Sequence, residues 1–334
     1  MKRTSTLILL TLLLIGCSKA PIVNEEPNPT PPVEEPVVEV FRSVFSGEVI
    51  EEGAMYKPLS VIIENSAAAR PHSGLSEADI VYEFTVDGFQ ITRFLAIFNS
   101  SVPNKIGPVR SGRIPFVEIA KQWMLPFVHY GAAQTGQGDA YSIIRNTKWP
   151  VRFDGVSGLN DDYFYRDSSR NAPHNAYFRG ADALAKVTEM SVSEHFEFND
   201  KSNISGSNVN KVSFRYSGQL TNAYEYDLDS QMYKRFLNGN SMIDLNTGNQ
   251  ITVKNVLVIH APHRSAEVHN YALIDFRGEG KAEFFIEGKH EIGVWKNENN
   301  LIQFYKVSGE EIVLLPGNTW IQVVHEDVKI TLGE

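Results

Sequence analysis

The sequence predicts an α/β (α+β) N-terminal domain carrying a mixed sheet, followed by a mostly β C-terminal domain. Two observations set this reading. Between residues 91 and 146 the apolar patterning runs strand, loop, helix, strand, loop, helix. Beyond residue 209 that order stops, and short β-rich runs follow at close intervals, several split by turn signals such as Asn238-Gly239. The polar stretch KSNISGSN (201–208) marks the change, which gives domains at 58–200 and 209–330.

The chain opens with an export signal. Lys2 and Arg3 precede an almost wholly apolar run from Leu7 to Ile15, too short to span a bilayer, and Leu14-Ile15-Gly16-Cys17 closes it. That ending predicts a lipoprotein, with residues 1–16 removed and Cys17 thioether-linked to a diacylglycerol. The expected address is the outer face of the cytoplasmic membrane, held there by lipid. Cys17 is the single cysteine. Once it is lipidated, the mature chain has no thiol for a nucleophile, a disulfide or a zinc site. Residues 17–57 include the run PIVNEEPNPTPPVEEPVVEV, which shows no helical or strand period. They predict an extended, disordered tether.

After the tether, PLSVIIEN (58–65) reads as a buried strand ending at Glu64 and Asn65. IVYEFTV (80–86) and ITRFLAIF (91–98) are strands, and Asp87-Gly88 between them is a hairpin signal. The loop NSSVPNKIGPVRSGR leads to PFVEIAKQWML, where Phe116, Ile119, Ala120, Trp123 and Met124 share one helical face. Pro115 suits the first turn of that helix, and Pro126 ends it. FVHYG (127–131) is the next strand, followed by GAAQTGQGD and a short helix with Ala140, Ile143 and Ile144 on one face. If the strands at 91–98 and 127–131 run parallel, the GPVRSGR and GAAQTGQGD loops both leave strand carboxyl ends. They then share the edge of the sheet where ligands bind. ADALAKVTEM (181–190) is a further helix. The runs beyond 209 predict a meander, sandwich or barrel, with Phe214, Tyr216, Tyr224, Tyr226, Phe284, Phe285, Trp295 and Trp320 mostly in its core.

Charge excludes one class of partner. The chain has 31 basic and 40 acidic residues, a formal net charge of −9, and no basic patch of the kind that binds nucleic acid. The distribution is more informative than the total. Residues 58–180 hold nine Arg and three Lys, whereas residues 181–334 hold four Arg and ten Lys. Arginine is the planar fork suited to carboxylate and phosphate. An Arg-rich first half predicts specific pairing, with a ligand or with internal carboxylates.

Arg110 and Arg113 precede the Pro115 helix, whose first turn offers unpaired N–H groups and partial positive charge. They predict an anion site. Internal pairing with Glu118, Asp154 or Asp167 is the alternative. The segment YFYRDSSRNAPHN (163–175) adds Arg166, Arg170, His174 and Asn175. Its arginines read as a second wall of the pocket, and Asp167 and Asn175 as fasteners of the loop. His174 reads as a ligand contact, or as a general acid–base with Glu83 or Asp154 as its carboxylate. Glu83 and Arg93 on the hairpin read as a structural ion pair. GAAQTGQGD lacks the Gly-Lys-Ser/Thr ending of a phosphate-binding P-loop, so nucleotide hydrolysis is not supported. His260, His263 and His269, with Glu267, do not have a standard zinc spacing and read as loop histidines. No metal and no cofactor is expected.

ARPHSGLSEADIVYE (69–83), ITRFLAIF (91–98), GPVRSGR (107–113), FYRDSSRNAPHN (164–175) and PGNTWIQVV (316–324) together resemble the YerB-like family of bacterial lipoproteins. The resemblance covers nearly everything after the tether. It implies an exported, lipid-anchored protein with an N-terminal and a C-terminal domain of unknown function, and no established reaction. His72 stands where the family's ARPQSG-like motif has glutamine. The functional expectation is an extracytoplasmic lipoprotein that binds an anionic envelope ligand, a peptidoglycan carboxylate or a phosphate polymer. Arg110, Arg113, Arg166, Arg170, His174 and Asn175 are the expected binding residues. An envelope glycan or peptide hydrolase or transferase using His174, and an adaptor docking an envelope protein through the β-rich half, are the alternatives.

Overall fold

The structure, a computed structural model, describes residues 40–333. The signal peptide, Cys17 and most of the expected tether lie outside the described residues. The last stretch of that tether does not act as a spacer. Val44, Phe45 and Tyr56 are buried, and Phe45 stacks on Trp123 with ring centroids 5.7 Å apart. Residues 41–57 therefore belong to the packed body, because Val44 and Phe45 supply the apolar burial that the Pro/Glu run lacks.

Five strands of the main sheet come from the first half: β1 (Leu59–Glu64), β2 (Ile80–Thr85), β3 (Thr92–Phe98), β4 (Phe127–His129) and β5 (Arg152–Asp154). They lie side by side in the order β2-β3-β1-β4-β5. The sheet is mixed, as the sequence predicts: β1 is antiparallel to β3 and parallel to β4, and β4 is parallel to β5. The β2–β3 hairpin closes through a short turn at Asp87–Phe89, with Thr85 opposite Thr92. One expectation fails. β1 separates β3 from β4 and pairs oppositely with each, so 92–98 and 127–129 run antiparallel. Their loops still meet, for a different reason. The extended segment around Arg110 inserts between the ends of β1 and β4, donating to Ile62 O at 2.9 Å and accepting from Tyr130 N at 3.0 Å. Gly112 then donates to Gly131 O at 2.9 Å, which joins the GPVRSGR and GAAQTGQGD loops.

The second half is mostly strand, and its strands divide between the first sheet and a second one. Asn255–Ala261, Glu279–Ile286, Lys289–Glu298, Leu301–Lys306 and Thr319–His325 extend the first sheet. Thr319–His325 pairs parallel with β2, which sets Glu83 in register with Gln322. Lys211–Ser217, Leu220–Asp227 and Met232–Leu237, with shorter strands including Ile330–Gly333, make a second, six-stranded sheet. The stretch expected as a domain boundary also pairs, Ser207 with His290 and Asn208 with Lys289.

Both faces of the long sheet's central strands are buried, which is why those strands are near-continuous apolar runs, broken at Glu83 and Arg93. Alternation along each strand divides them between two cores. Ile62, Tyr82 and Phe84 face helices α1 (Ile114–Trp123) and α2 (Ala140–Asn146), packing with Phe116, Ile119 and Trp123. Val61, Ile63 and Val81 face the other way, sharing a core with Phe94, Trp320 and the second-sheet residues Tyr224 and Tyr233.

Candidate functional site at the carboxyl end of β1

β1 is an apolar run that ends in a carboxylate. Glu64 is its last residue, on the same face as Ile62, and its side chain is only 3% exposed. Three side chains meet that carboxylate. The His174 Nδ1–H donates to Oε1 at 2.9 Å, and the Ser66 hydroxyl donates to the same oxygen at 2.9 Å. Arg110 Nε lies 3.6 Å from Oε2. From beneath, the His72 Nε2–H donates to the Glu64 backbone carbonyl at 2.7 Å. A carboxylate on Nδ1 fixes the imidazole's orientation and tautomer. Nε2 of His174 is left with no protein partner among the described residues, on a ring that is 26% exposed.

The four arginines expected to line one pocket have separate fates. Arg110 keeps its two terminal nitrogens free of hydrogen bonds among the described residues, with its side chain one quarter exposed at 25%. Arg113, at the N-cap of α1, is committed to Asp87 in the hairpin turn: Nε donates to Oδ1 at 2.8 Å and Nη2 to Oδ2 at 2.7 Å. Its guanidinium also lies over the Tyr271 ring, 4.8 Å from the centroid. The internal partner of Arg113 is thus Asp87 rather than Glu118, Asp154 or Asp167. Arg166 spans Asn175 Oδ1 at 2.7 Å and the Tyr130 hydroxyl at 3.1 Å. Arg170 donates to the Pro71 carbonyl at 2.7 Å. Asn175 in turn donates to the carbonyls of Asp167 and Arg170 at 3.3 and 3.2 Å. Asp167 accepts from the Ser169 amide and hydroxyl and from Lys105. The loop fastens itself and, in doing so, carries His174 onto Glu64.

Neither carboxylate named as a partner of His174 reaches it. Glu83 and Arg93 do not pair either, because Glu83 lies opposite Phe94 while Arg93 lies opposite Phe84, so their side chains leave opposite faces of the sheet. Glu83 is sealed against the second sheet, where its Oε2 accepts from Arg235 at 2.6 Å and from Asn222 at 2.9 Å. Arg93 reaches Asp87 at 3.8 Å instead. Burial and the neighbouring Arg113 push its guanidinium down to about 9. Asp154 is buried and accepts from the amides of Gly131 and Val156 at 3.2 and 3.1 Å and from the Tyr141 hydroxyl at 3.0 Å. It fastens the loop after β4. The sequence signal for these pairings is positional. Arg235 shares the inward parity of Tyr233 and Leu237 along its strand, and Glu64 ends an unbroken apolar run.

His260 is not a loop histidine. It lies within the strand Asn255–Ala261, buried, with Nε2 3.1 Å from Glu283 Oε1, while His290 Nε2 lies 2.7 Å from Oε2. Burial alone raises the Glu283 carboxyl, but the bonds from His260, His290 and Lys281 outweigh it and hold it well below the usual range. His263 opens the strand His263–Ser265 and is half-buried, so of the three only His269 lies in a turn, where it is exposed. Among the described residues no group of three or more His, Cys, Asp or Glu is arranged to hold a metal ion. Nor is any helix among them long and apolar enough to cross a membrane.

Two models of one family match this chain. The protein of unknown function (DUF3048) N-terminal domain covers residues 45–194, and its C-terminal domain covers residues 212–321. The chain belongs to that family. A relative from Bacillus subtilis (strain 168), named "Putative lipoprotein YerB", is 32% identical over 280 residues, which is 80% of this chain and 81% of the relative. The crystal structure of the YerB protein from Bacillus subtilis matches with a TM-score of 0.75 at 27% identity, covering 87% of this chain and 99% of that one. The resemblance read from the motifs at 69–83 and 164–175 therefore holds, and the mixed sheet with a strand-rich second half is shared with that structure.

Proposed function

We propose that this chain is a lipid-anchored protein of the cell envelope, held through Cys17 on the outer face of the cytoplasmic membrane, whose β1 edge binds an anionic envelope ligand. The Leu-Ile-Gly-Cys ending of the leader supports the anchor. The name of the Bacillus subtilis relative supports it independently. One observation carries the ligand reading: Arg110 presents two terminal nitrogens free of hydrogen bonds among the described residues at a partly open edge, while Arg113 and Arg166 are each paired within the protein. A guanidinium left unfilled beside a seated imidazole is matched to a carboxylate or phosphate. The binding set is narrower than four arginines. Arg110 and His174 face the ligand, Arg170 borders it, and Arg113, Arg166 and Asn175 hold the frame.

Co-sedimentation of residues 40–334 with purified cell wall, with and without its phosphate polymers, tests this at two salt concentrations. Salt-sensitive binding is expected for the wild type, with loss in Arg110→Ala and partial retention in Arg110→Lys. An Arg110→Ala protein that sediments like the wild type removes the reading.

A further inference from the structure

The edge site contains more than charge. A ligand pocket for an anion needs only the guanidinium, yet here an imidazole is set in a fixed orientation by a nearly buried carboxylate. Glu64 Oε1 takes the Nδ1 side of His174 at 2.9 Å, and Oε2 faces Arg110 Nε at 3.6 Å. A single carboxylate therefore holds both a basic nitrogen, Nε2, and a pair of free guanidinium N–H groups at one partly open position. That is the composition of a general base beside a charge-stabilising fork.

The geometry narrows the chemistry. A nucleophilic serine needs the imidazole nitrogen opposite the carboxylate. The Ser66 hydroxyl lies 3.3 Å from Nδ1, the same nitrogen that Glu64 takes, so Ser66 is placed to support Glu64 and not to attack. Glycoside hydrolysis uses two carboxyl groups flanking the bond. Asp87 is occupied by Arg113 and Glu83 is sealed between the sheets, which leaves Glu64 without a carboxyl partner. The planar fork of Arg110 matches the two non-bridging oxygens of a phosphodiester.

We propose that His174 and Arg110, with Glu64 as the positioning residue, hydrolyse a phosphodiester in the bound anion; this rests on the anion-binding reading above. His174 Nε2 takes a proton from water as the water oxygen bonds to phosphorus. Arg110 holds the non-bridging oxygens as charge gathers on them. The bond from phosphorus to the leaving oxygen breaks with its electron pair, and that oxygen takes a proton from solvent. The imidazolium returns its proton to bulk water. The products are a phosphomonoester and an alcohol.

Bis(4-nitrophenyl) phosphate is the probe, because its leaving group departs without an acid, and release of 4-nitrophenolate is followed with the full chain in detergent. Wild-type protein is expected to turn it over. His174→Ala is expected to lose about 100-fold or more of the rate, with partial recovery on addition of free imidazole, which a merely structural histidine would not give. Glu64→Gln is expected to lower kcat with KM little changed, and Arg110→Ala to raise KM as well. A wild type that sediments with the phosphate polymer but releases no nitrophenolate overturns the hydrolytic centre and leaves the binding reading standing. A wild type that does neither overturns both. A His174→Ala protein as active as the wild type also overturns it.

Discussion

Glu64 and Asn65 are adjacent on the chain, yet they open onto two different regions. Asn65 turns into the seam between the two sheets, where its Nδ2 donates to Glu83 Oε1 at 3.2 Å and to Thr92 at 2.8 Å. Glu83 accepts further from Thr92 at 2.6 Å, Asn222 at 2.9 Å and Arg235 at 2.6 Å, so both of its oxygens are occupied. The Arg235 guanidinium lies 4.6 Å over Trp320, and both members of that ion pair are wholly buried. Glu64 turns to the opposite face and meets a histidine and an arginine that each keep an open side. The residue types are nearly the same in the two regions. What separates a clasp from a site is whether the groups left without a partner are sealed in the core, as Asn222 Oδ1 is, or stand at a partly open edge, as the terminal nitrogens of Arg110 do among the described residues. In the seam, Glu83 and Arg235 join strands more than a hundred residues apart. At the edge, the unfinished bonding of Arg110 and His174 is available to a ligand.

The largest expected effect is in the seam. Glu83→Ala leaves Arg235 buried without its counter-charge and is expected to cost about 3–5 kcal/mol in denaturant unfolding. Arg110→Ala at the edge is expected to cost less than about 1 kcal/mol, because its partly exposed guanidinium stands 3.6 Å from Glu64. A Glu83→Ala protein that loses less than about 1 kcal/mol would break the comparison. Within the edge itself the same contrast recurs at smaller size. Arg113→Ala removes two charge-assisted bonds to a partly exposed Asp87 and is expected to cost about 1–2 kcal/mol. Arg110→Ala should then lose binding without stability, and Arg113→Ala should lose stability first. Equal unfolding midpoints for the two variants would mean that Arg113 is as free as Arg110.

The sequence carried the strands better than their partners. LSVIIE, IVYEFT and TRFLAIF are legible because burial on both faces enforces mostly apolar runs. The hairpin at Asp87 is legible because its turn is local. That Thr319–His325 would lie beside β2 is not legible, since parallel pairing across more than two hundred residues leaves no mark on either segment. The same limit governs the site. Arg110 and His174 stand out by residue type, but their common partner Glu64 is 46 and 110 positions away, and only the register of β1 brings it to them. Asp87 and Arg113 follow the same rule, through a turn and a helix cap that are each legible alone. His260 was misread for a local reason. The strand boundary falls one residue after His260, at Ala261, and the next strand already begins at His263, so of the three histidines only His269 lies in the turn beyond.

His72 sits where the two regions meet, and it offers the smallest and most specific test. Its Nε2–H donates to the Glu64 carbonyl, and Leu245 N donates to its own carbonyl at 2.7 Å. Burial, followed by the nearby charges of Arg70, Arg235 and Arg170, depresses the imidazole from 6.5 to about 3 against the opposing bond to Glu64. The folded state therefore resists a proton that the unfolded chain accepts. The contribution to stability is complete above pH 6.5 and is lost as pH falls from there toward about 3. Near the middle of that window the slope from this residue approaches about 1.4 kcal/mol per pH unit. His129, His195 and His263 are depressed by burial as well, so the readout is the difference between two proteins rather than the wild-type curve. His72→Gln keeps an N–H for the Glu64 carbonyl. At pH 7 the variant is expected within about 1 kcal/mol of wild type. On acidification it should overtake the wild type, because glutamine has no proton to gain. Glu283 works in the same direction at lower pH, whereas burial raises Glu118 from 4.5 to about 7, so its share runs the opposite way across the weakly acidic range and cancels in the difference between the two proteins. Parallel curves for the two proteins across that range would mean that His72 accepts its proton in the folded state, so burial would not be holding it neutral.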